Sequence, residues 1–125
     1  MNVKIDTKEK FIVITPQTPV LTAHMTEELL GILLPYLQND IPNIILKMNE
    51  VKNIDEKSCK LLGDMQQKFY ENHCSFIFCE LQQGVKEKLD QMELLEILNV
   101  TPTESEAWDI VQMEEIEREL LDGED

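Results

Sequence analysis

Apolar positions along the chain switch repeatedly between a two-residue and a helical period. Residues 3–6 alternate weakly, residues 7–10 are polar and turn-like, and residues 11–15 (FIVIT) form a β-branched apolar run, which together predict an opening hairpin. Pro16 and Pro19 then enforce an irregular connection, since prolines so close forbid regular pairing. From Met25, the residues Leu29, Leu30, Leu33 and Leu37 recur at helical spacing, with Thr22 placed as the N-cap and Pro35 expected to kink or end the helix near Leu34. Residues 43–48 (NIILKM) suit a short buried strand. A second helical face follows in Leu61, Leu62, Met65 and Phe69, opposite Lys60, Asp64, Lys68 and Glu71.

Residues 74–81 (CSFIFCEL) predict the next strand. Val85, Leu89, Met92, Leu95 and Leu98 predict a third amphipathic helix, and Val100 and Thr101 a last short strand. Thr103 and Glu106 stand at capping-box spacing and open a final helix expected to turn Ala107, Ile110, Met113, Ile116 and Leu120 inward. The resulting order, β-β-α-β-α-β-α-(β)-α, implies crossover connections and a largely parallel sheet with an antiparallel edge hairpin. The expected fold is thus α/β: one domain over residues 1–125, with a mixed sheet of four or five strands and about four helices mostly on one side.

Charge narrows the class of partner. Eleven bases against 25 acids give a net charge of −14. A field of that sign repels phosphate backbones and anionic membrane surfaces, so nucleic acid is not an expected partner. Residues 104–125 hold ten carboxylates and one base, Arg118, and so carry −9 of the −14. A solvated helix face with an acidic tail and an electrostatic docking surface both fit that run. The opening residues lack the apolar stretch of a secretory signal, and the densest apolar run, residues 29–37, is broken by Gly31 and Pro35. No membrane insertion is expected, and a cytoplasmic location is. Three cysteines, Cys59, Cys74 and Cys79, in no framework spacing fit a reducing compartment.

Little of the sequence points to catalysis. Gly31, Gly63, Gly84 and Gly123 lie too far apart for a phosphate-binding loop. Cys74 and Cys79, five apart in a strand, should point to opposite faces and share neither a metal nor a disulfide. His24 and His73 fall in different helical regions, and no serine or cysteine stands in an elbow-like glycine setting. No metal, cofactor or catalytic residue is assigned, and the chain is read as a binding protein and not an enzyme.

The informative stretch is residues 43–62 (NIILKMNEVKNIDEKSCKLL). An apolar strand enters a short loop ending at Asp55, and a helix begins at once, with Asp55 placed as N-cap and Glu56 in the first turn. Backbone N–H groups and the helix dipole favour negative charge there by about 0.3–1 kcal/mol per group.

This stretch resembles the STAS domain of the anti-sigma-factor antagonist family, whose signature runs from a hydrophobic strand through a valine, a hydrophobic residue and an aspartate into Ser–Ser/Thr–Gly and a helix. Val51, Ile54 and Asp55 match in type and spacing, and Leu61 and Leu62 match apolar positions of the helix. Leu21, Thr22 and Ala23 are similar to the family's entry to its first helix, and the stretch from Thr103 to Ala107 is similar to the start of its closing helix. The resemblance implies that Asn53, Asp55, Glu56, Lys57 and Ser58 form the partner-binding and switch region. It also implies a kinase-type anti-sigma factor as partner or, alternatively, a component of a membrane transport complex.

The chain departs from the signature where it matters most. Glu56 stands where the family has its phosphorylatable serine, Lys57 where it has serine or threonine, and Ser58 where it has glycine. Three readings stay open: Glu56 holds a phosphorylated-like state, the switch has been lost with a change of partner, or Ser58 has become the acceptor. Lys57 and Lys60 are bases in an acidic chain, suited to carboxylates on a partner or to Glu56 and Asp64 nearby.

Overall fold

The computed structural model describes residues 1–122. In chain order its elements are β1 (Val3–Thr7), β2 (Ile12–Pro16), β3 (Val20–Leu21), α1 (Ala23–Leu33), a 3₁₀ segment (Leu34–Gln38), β4 (Ile44–Lys47), β5 (Asn53–Ile54), α2 (Glu56–Glu71), β6 (Phe76–Cys79), α3 (Gln83–Gln91), β7 (Val100–Thr101) and α4 (Glu104–Asp122). The main sheet has the order β1-β2-β4-β6-β7. Only the β1–β2 hairpin is antiparallel; β2, β4, β6 and β7 run parallel. This is the mixed sheet that the alternation of patterns predicts.

Strand geometry sends successive side chains to opposite faces, and both faces here are buried. Ile12, Ile14, Ile44, Leu46, Phe76 and Phe78 point into the larger core, which is completed by Leu29, Leu33, Leu62, Phe69, Val85 and Leu89 of α1, α2 and α3. Phe11, Val13, Ile45, Ile77 and Cys79 point the other way, onto Ala107 and Val111 of α4. Burial on both faces is why these strands read as unbroken apolar runs. Three helices therefore share one face and the fourth covers the other. Cys74 lies in the first core and Cys79 in the second, as their spacing requires. All three thiols are free and buried, and burial raises Cys59 to about 11 and Cys79 to about 12.

The first helix follows its sequence signals. Thr22 Oγ1 accepts from the Met25 N–H at 3.3 Å, and the helix gives way to the 3₁₀ segment at Leu34 with Pro35 in its first turn. The third helix is shorter than its apolar spacing suggests, ending at Gln91. Glu93 takes φ 57°, the Leu94 N–H bonds the Leu89 carbonyl and the Glu93 N–H bonds that of Asp90. This is a Schellman ending. Leu94, Leu95 and Leu98 still reach the core, but from an irregular segment.

The expectation for the last helix fails over its second half. Met113, Ile116 and Leu120 are 55 %, 56 % and 66 % exposed. The helix carries two apolar stripes: Ala107 and Val111 face the sheet, and Met113, Ile116 and Leu120 lie roughly 180° around it at 100° per residue. Past Val111 the inward positions are polar. Tyr70 donates to Glu114 Oε1 at 2.7 Å, Asn43 donates to Glu115 Oε1 at 2.6 Å, and Arg118 donates to Ser75 Oγ at 3.0 Å and Asn43 Oδ1 at 3.3 Å. Those partners lie near the N-terminal ends of β4 and β6, where hydrogen-bonding groups and not apolar side chains await the helix.

At its start α4 keeps one arm of the expected capping box, with Thr103 Oγ1 accepting from the Glu106 N–H at 3.3 Å. A further cap comes from Glu80, at φ 59°, which accepts the Glu104 N–H at 2.8 Å.

Candidate functional site

The chain leaves β4 through Met48, which is buried and bonded from its N–H to the Cys79 carbonyl at 3.0 Å. The loop that follows is held from two sides. Val51 and Ile54 are buried and anchor it to the core. The Lys52 and Asn53 N–H groups both bond the Pro19 carbonyl, at 2.8 and 3.1 Å, and β5 pairs in parallel with β3, Val20 opposite Asn53 and Leu21 opposite Ile54. On the other side Gln82 donates to the Asn49 carbonyl at 2.7 Å. Gly84 packs so close that a Cβ there would lie 2.6 Å from the Lys52 carbonyl oxygen. Lys52 and Asn53 remain exposed on this pinned frame.

Asp55 ends the loop and caps two helices. Its Oδ1 accepts from the Ser58 N–H at 2.8 Å, the N-cap bond of α2. Its Oδ2 accepts from the Ala23 N–H at 2.9 Å, the first residue of α1. The bond from Ser58, helped by that from Ala23, holds the Asp55 carboxyl below its ordinary range even though burial opposes it. Two helix N-termini thus converge on one carboxylate.

Beyond Asp55, Glu56, Lys57 and Lys60 are exposed. Lys57 pairs with Glu27 of α1 at 3.5 Å, across two largely exposed side chains, and not with Glu56 or Asp64. Such a pair contributes no more than about 1 kcal/mol and leaves Lys57 available. Ser58, counted with this surface on sequence grounds, lies beneath it with no exposed area. The Thr26 hydroxyl donates to Ser58 Oγ at 2.7 Å, and Ser58 donates on to the Leu21 carbonyl at 3.2 Å. The serine thus ties α1 to α2. Neighbouring Cys59 is also fully buried.

Of the five residues singled out in the sequence, Asn53, Asp55, Glu56 and Lys57 share one surface and Ser58 supports it from below. Sequence reading missed Thr26, Ala23 and Gly84. Thr26 had a signal, being a polar residue four after the Thr22 cap and inside an apolar stripe; Ala23 was noted only as part of the resemblance at the entry to the first helix, and Gly84 acts through backbone proximity and left none. Among the described residues, no group of three or more His, Cys, Asp or Glu side chains is placed to hold a metal, and no helix is long and apolar enough to cross a membrane.

A family comparison matches the STAS domain over residues 2–107. A search of curated proteins found no match. Among solved structures, an anti-sigma-factor antagonist (STAS) domain protein from Planctomyces limnophilus superposes with TM-score 0.76 at 18 % identity, over 88 % of this chain and 97 % of that one. The anti-sigma factor antagonist SpoIIAA in its unphosphorylated form gives TM-score 0.71 at 18 % identity, over 89 % and 96 %. The murine anion transporter Slc26a9 gives TM-score 0.71 at 15 % identity, over 86 % of this chain and 18 % of that much longer one. At these identities the superpositions speak for the fold.

Proposed function

The chain belongs to the STAS domain family, and from that premise we propose that it is a regulatory protein-binding domain of the anti-sigma-factor antagonist kind, docking through the loop at Asn53 and the exposed start of α2. The observation that carries this reading is the rigid presentation of Asn53, Glu56 and Lys57. The loop is stitched to residues 19–21, pressed by Gly84 and capped by Asp55, so its backbone is held in place before any partner arrives. Preorganisation of this sort reduces the entropy lost on binding.

Glu56 gives the surface a fixed charge of about −1 where a phosphoserine would supply about −1.5 to −2. Ser58 is a poor acceptor, since it has no exposed area and its hydroxyl is engaged by Thr26 and Leu21. Phosphorylation there would push a dianion into a dry core. The surface therefore works without a phosphorylation switch, either because Glu56 stands in for the phosphate or because the partner does not require one. The first partner class is a kinase-type anti-sigma factor. A component of a membrane transport complex is the second, favoured by the likeness to the Slc26a9 fold and by the lack of an acceptor serine.

Affinity capture of the tagged chain from its native cells, run beside Asn53→Arg and Lys57→Glu variants, tests the reading. The expected result is a specific protein held by the wild type and lost with both variants. A partner retained equally by all three would place the interface elsewhere. With a kinase-type partner, Glu56→Ser should tighten binding if Glu56 imitates the phosphate, and unchanged affinity would exclude that role.

A further inference from the structure

Helix α4 is amphipathic in the inverted sense over its second half. Its polar side chains Glu114, Glu115 and Arg118 turn toward the domain and are hydrogen-bonded there. Met113, Ile116 and Leu120 turn to solvent at 55–66 % exposure. The outward residues fall at i, i+3 and i+7, the spacing of one coiled-coil seam, with Met113 and Leu120 at a and Ile116 at d. Glu117 and Glu119 then occupy the e and g positions that flank the seam, both exposed, and toward the N-terminus the seam positions themselves turn acidic, with Asp109 at d and Glu106 at a. The single base of the helix, Arg118, sits at f and is spent on Ser75 and Asn43. The exposed face of α4 is thus a short apolar strip flanked by Glu117, Glu119 and the uncharged Gln112, with no base among them.

We propose that this face binds an amphipathic helix of another protein, with apolar residues at its own a and d positions and lysine or arginine at e and g. The seam spacing selects a helix, because ridges repeated every three and four residues pack into the matching grooves of a second helix at about 20°. The border selects the sign, since e and g charges set partner choice in such pairs. A second copy of this chain would bring glutamates against glutamates along both edges, and an anionic membrane would meet the same repulsion. This surface lies near the N-terminal ends of β4 and β6, away from the loop after β4, and stands whether or not that loop docks a partner.

The test uses the full chain and a labelled peptide of about three heptads with leucine at a and d and lysine at e and g. Controls are a peptide with glutamate at e and g, and a lysine peptide of the same composition with its apolar order scrambled. Fluorescence anisotropy should show binding of the first peptide alone, weakened by added salt. Ile116→Asp, at an exposed position, should weaken it by about tenfold or more with the far-ultraviolet circular dichroism expected to stay unchanged. The double change Glu117→Lys with Glu119→Lys should transfer preference to the glutamate peptide. Equal binding of the scrambled peptide, or indifference to Ile116→Asp, would overturn the proposal. So would a wild-type dimer in sedimentation that Ile116→Asp splits, or vesicle binding that the same variant abolishes.

Discussion

Asp55 Oδ2 accepts the backbone N–H of Ala23 at 2.9 Å across 32 residues of sequence, so the carboxylate that starts α2 also closes the start of α1. Helix N-termini carry unsatisfied donors and a partial positive charge, and one anion here answers two of them. The position joins the loop, both helices and the short β3–β5 pair into one unit.

Removing the carboxylate should cost more than the loss of an ordinary cap. Asp55→Ala leaves donors of two helices unpaired and is expected to destabilise the domain by about 2–3 kcal/mol, against about 1 kcal/mol for a single cap. Urea unfolding with an unchanged m-value would measure it. A loss below about 0.5 kcal/mol would mean that water replaces the carboxylate at both sites.

The same bonds fix a pH dependence. Asp55 is held below its ordinary range by the Ser58 and Ala23 amides. Burial pushes Glu115 upward, but bonds from Asn43 and Arg118 outweigh it and leave that carboxyl lowered as well. Between the native and unfolded pKa values the unfolded chain binds more protons, so the stabilisation is present above the unfolded value and lost as pH falls through the native one. The Tm difference between wild type and Asp55→Asn should be constant above about pH 5 and shrink below about pH 4, where the unfolded aspartate titrates. A difference that stays constant to pH 2 would contradict the assignment.

Two glycines should respond in opposite directions. Gly84→Ala places a Cβ 2.6 Å from the Lys52 carbonyl oxygen and 3.2 Å from Asn53 Oδ1, so the loop backbone must shift. A cost of about 1–3 kcal/mol is expected, together with weaker capture of any partner that uses Asn53. Gly31, inside α1, has nothing within 4 Å of the corresponding site. Gly31→Ala should stabilise by up to about 1 kcal/mol through helix propensity alone. Thermal unfolding of the pair gives both signs in one experiment.

His73 and Glu93 close α2 and α3 at φ 60° and 57°, in Schellman endings that favour glycine. His73→Gly and Glu93→Gly should each raise stability by roughly 1 kcal/mol by relieving Cβ strain. The two sites lie on different helices, so the double variant should show the sum within about 0.5 kcal/mol. A decrease at either site would mean that its side chain stabilises the turn by more than the strain costs.

The sheet and its crossovers were legible because two-sided burial leaves apolar runs such as FIVIT and NIILKM that no exposed strand would carry. The Asp55 cap and the first-turn charge of Glu56 were legible because caps and first-turn charges obey local rules, whereas Asn53 and Lys57 were grouped with them through the family resemblance. The β3–β5 pair was not legible, since two residues per strand carry no period and pair only through tertiary proximity. Ser58 was grouped with its sequence neighbours, whereas helix geometry turns it inward against Thr26. The last helix misled for a simpler reason. Its stronger apolar stripe is not its buried one, and only the positions of Asn43 and Ser75 decide which side faces the sheet.

The parallel run of β4 and β6 has a consequence for traffic on the molecule. Both strands begin near the residues that hold the second half of α4 and end near the loop that carries Asn53 and Asp55. Four residues of strand separate these regions by on the order of 13 Å. If both proposed surfaces are used, the length of these strands sets the spacing between the two partners, and the domain would serve as a spacer between them.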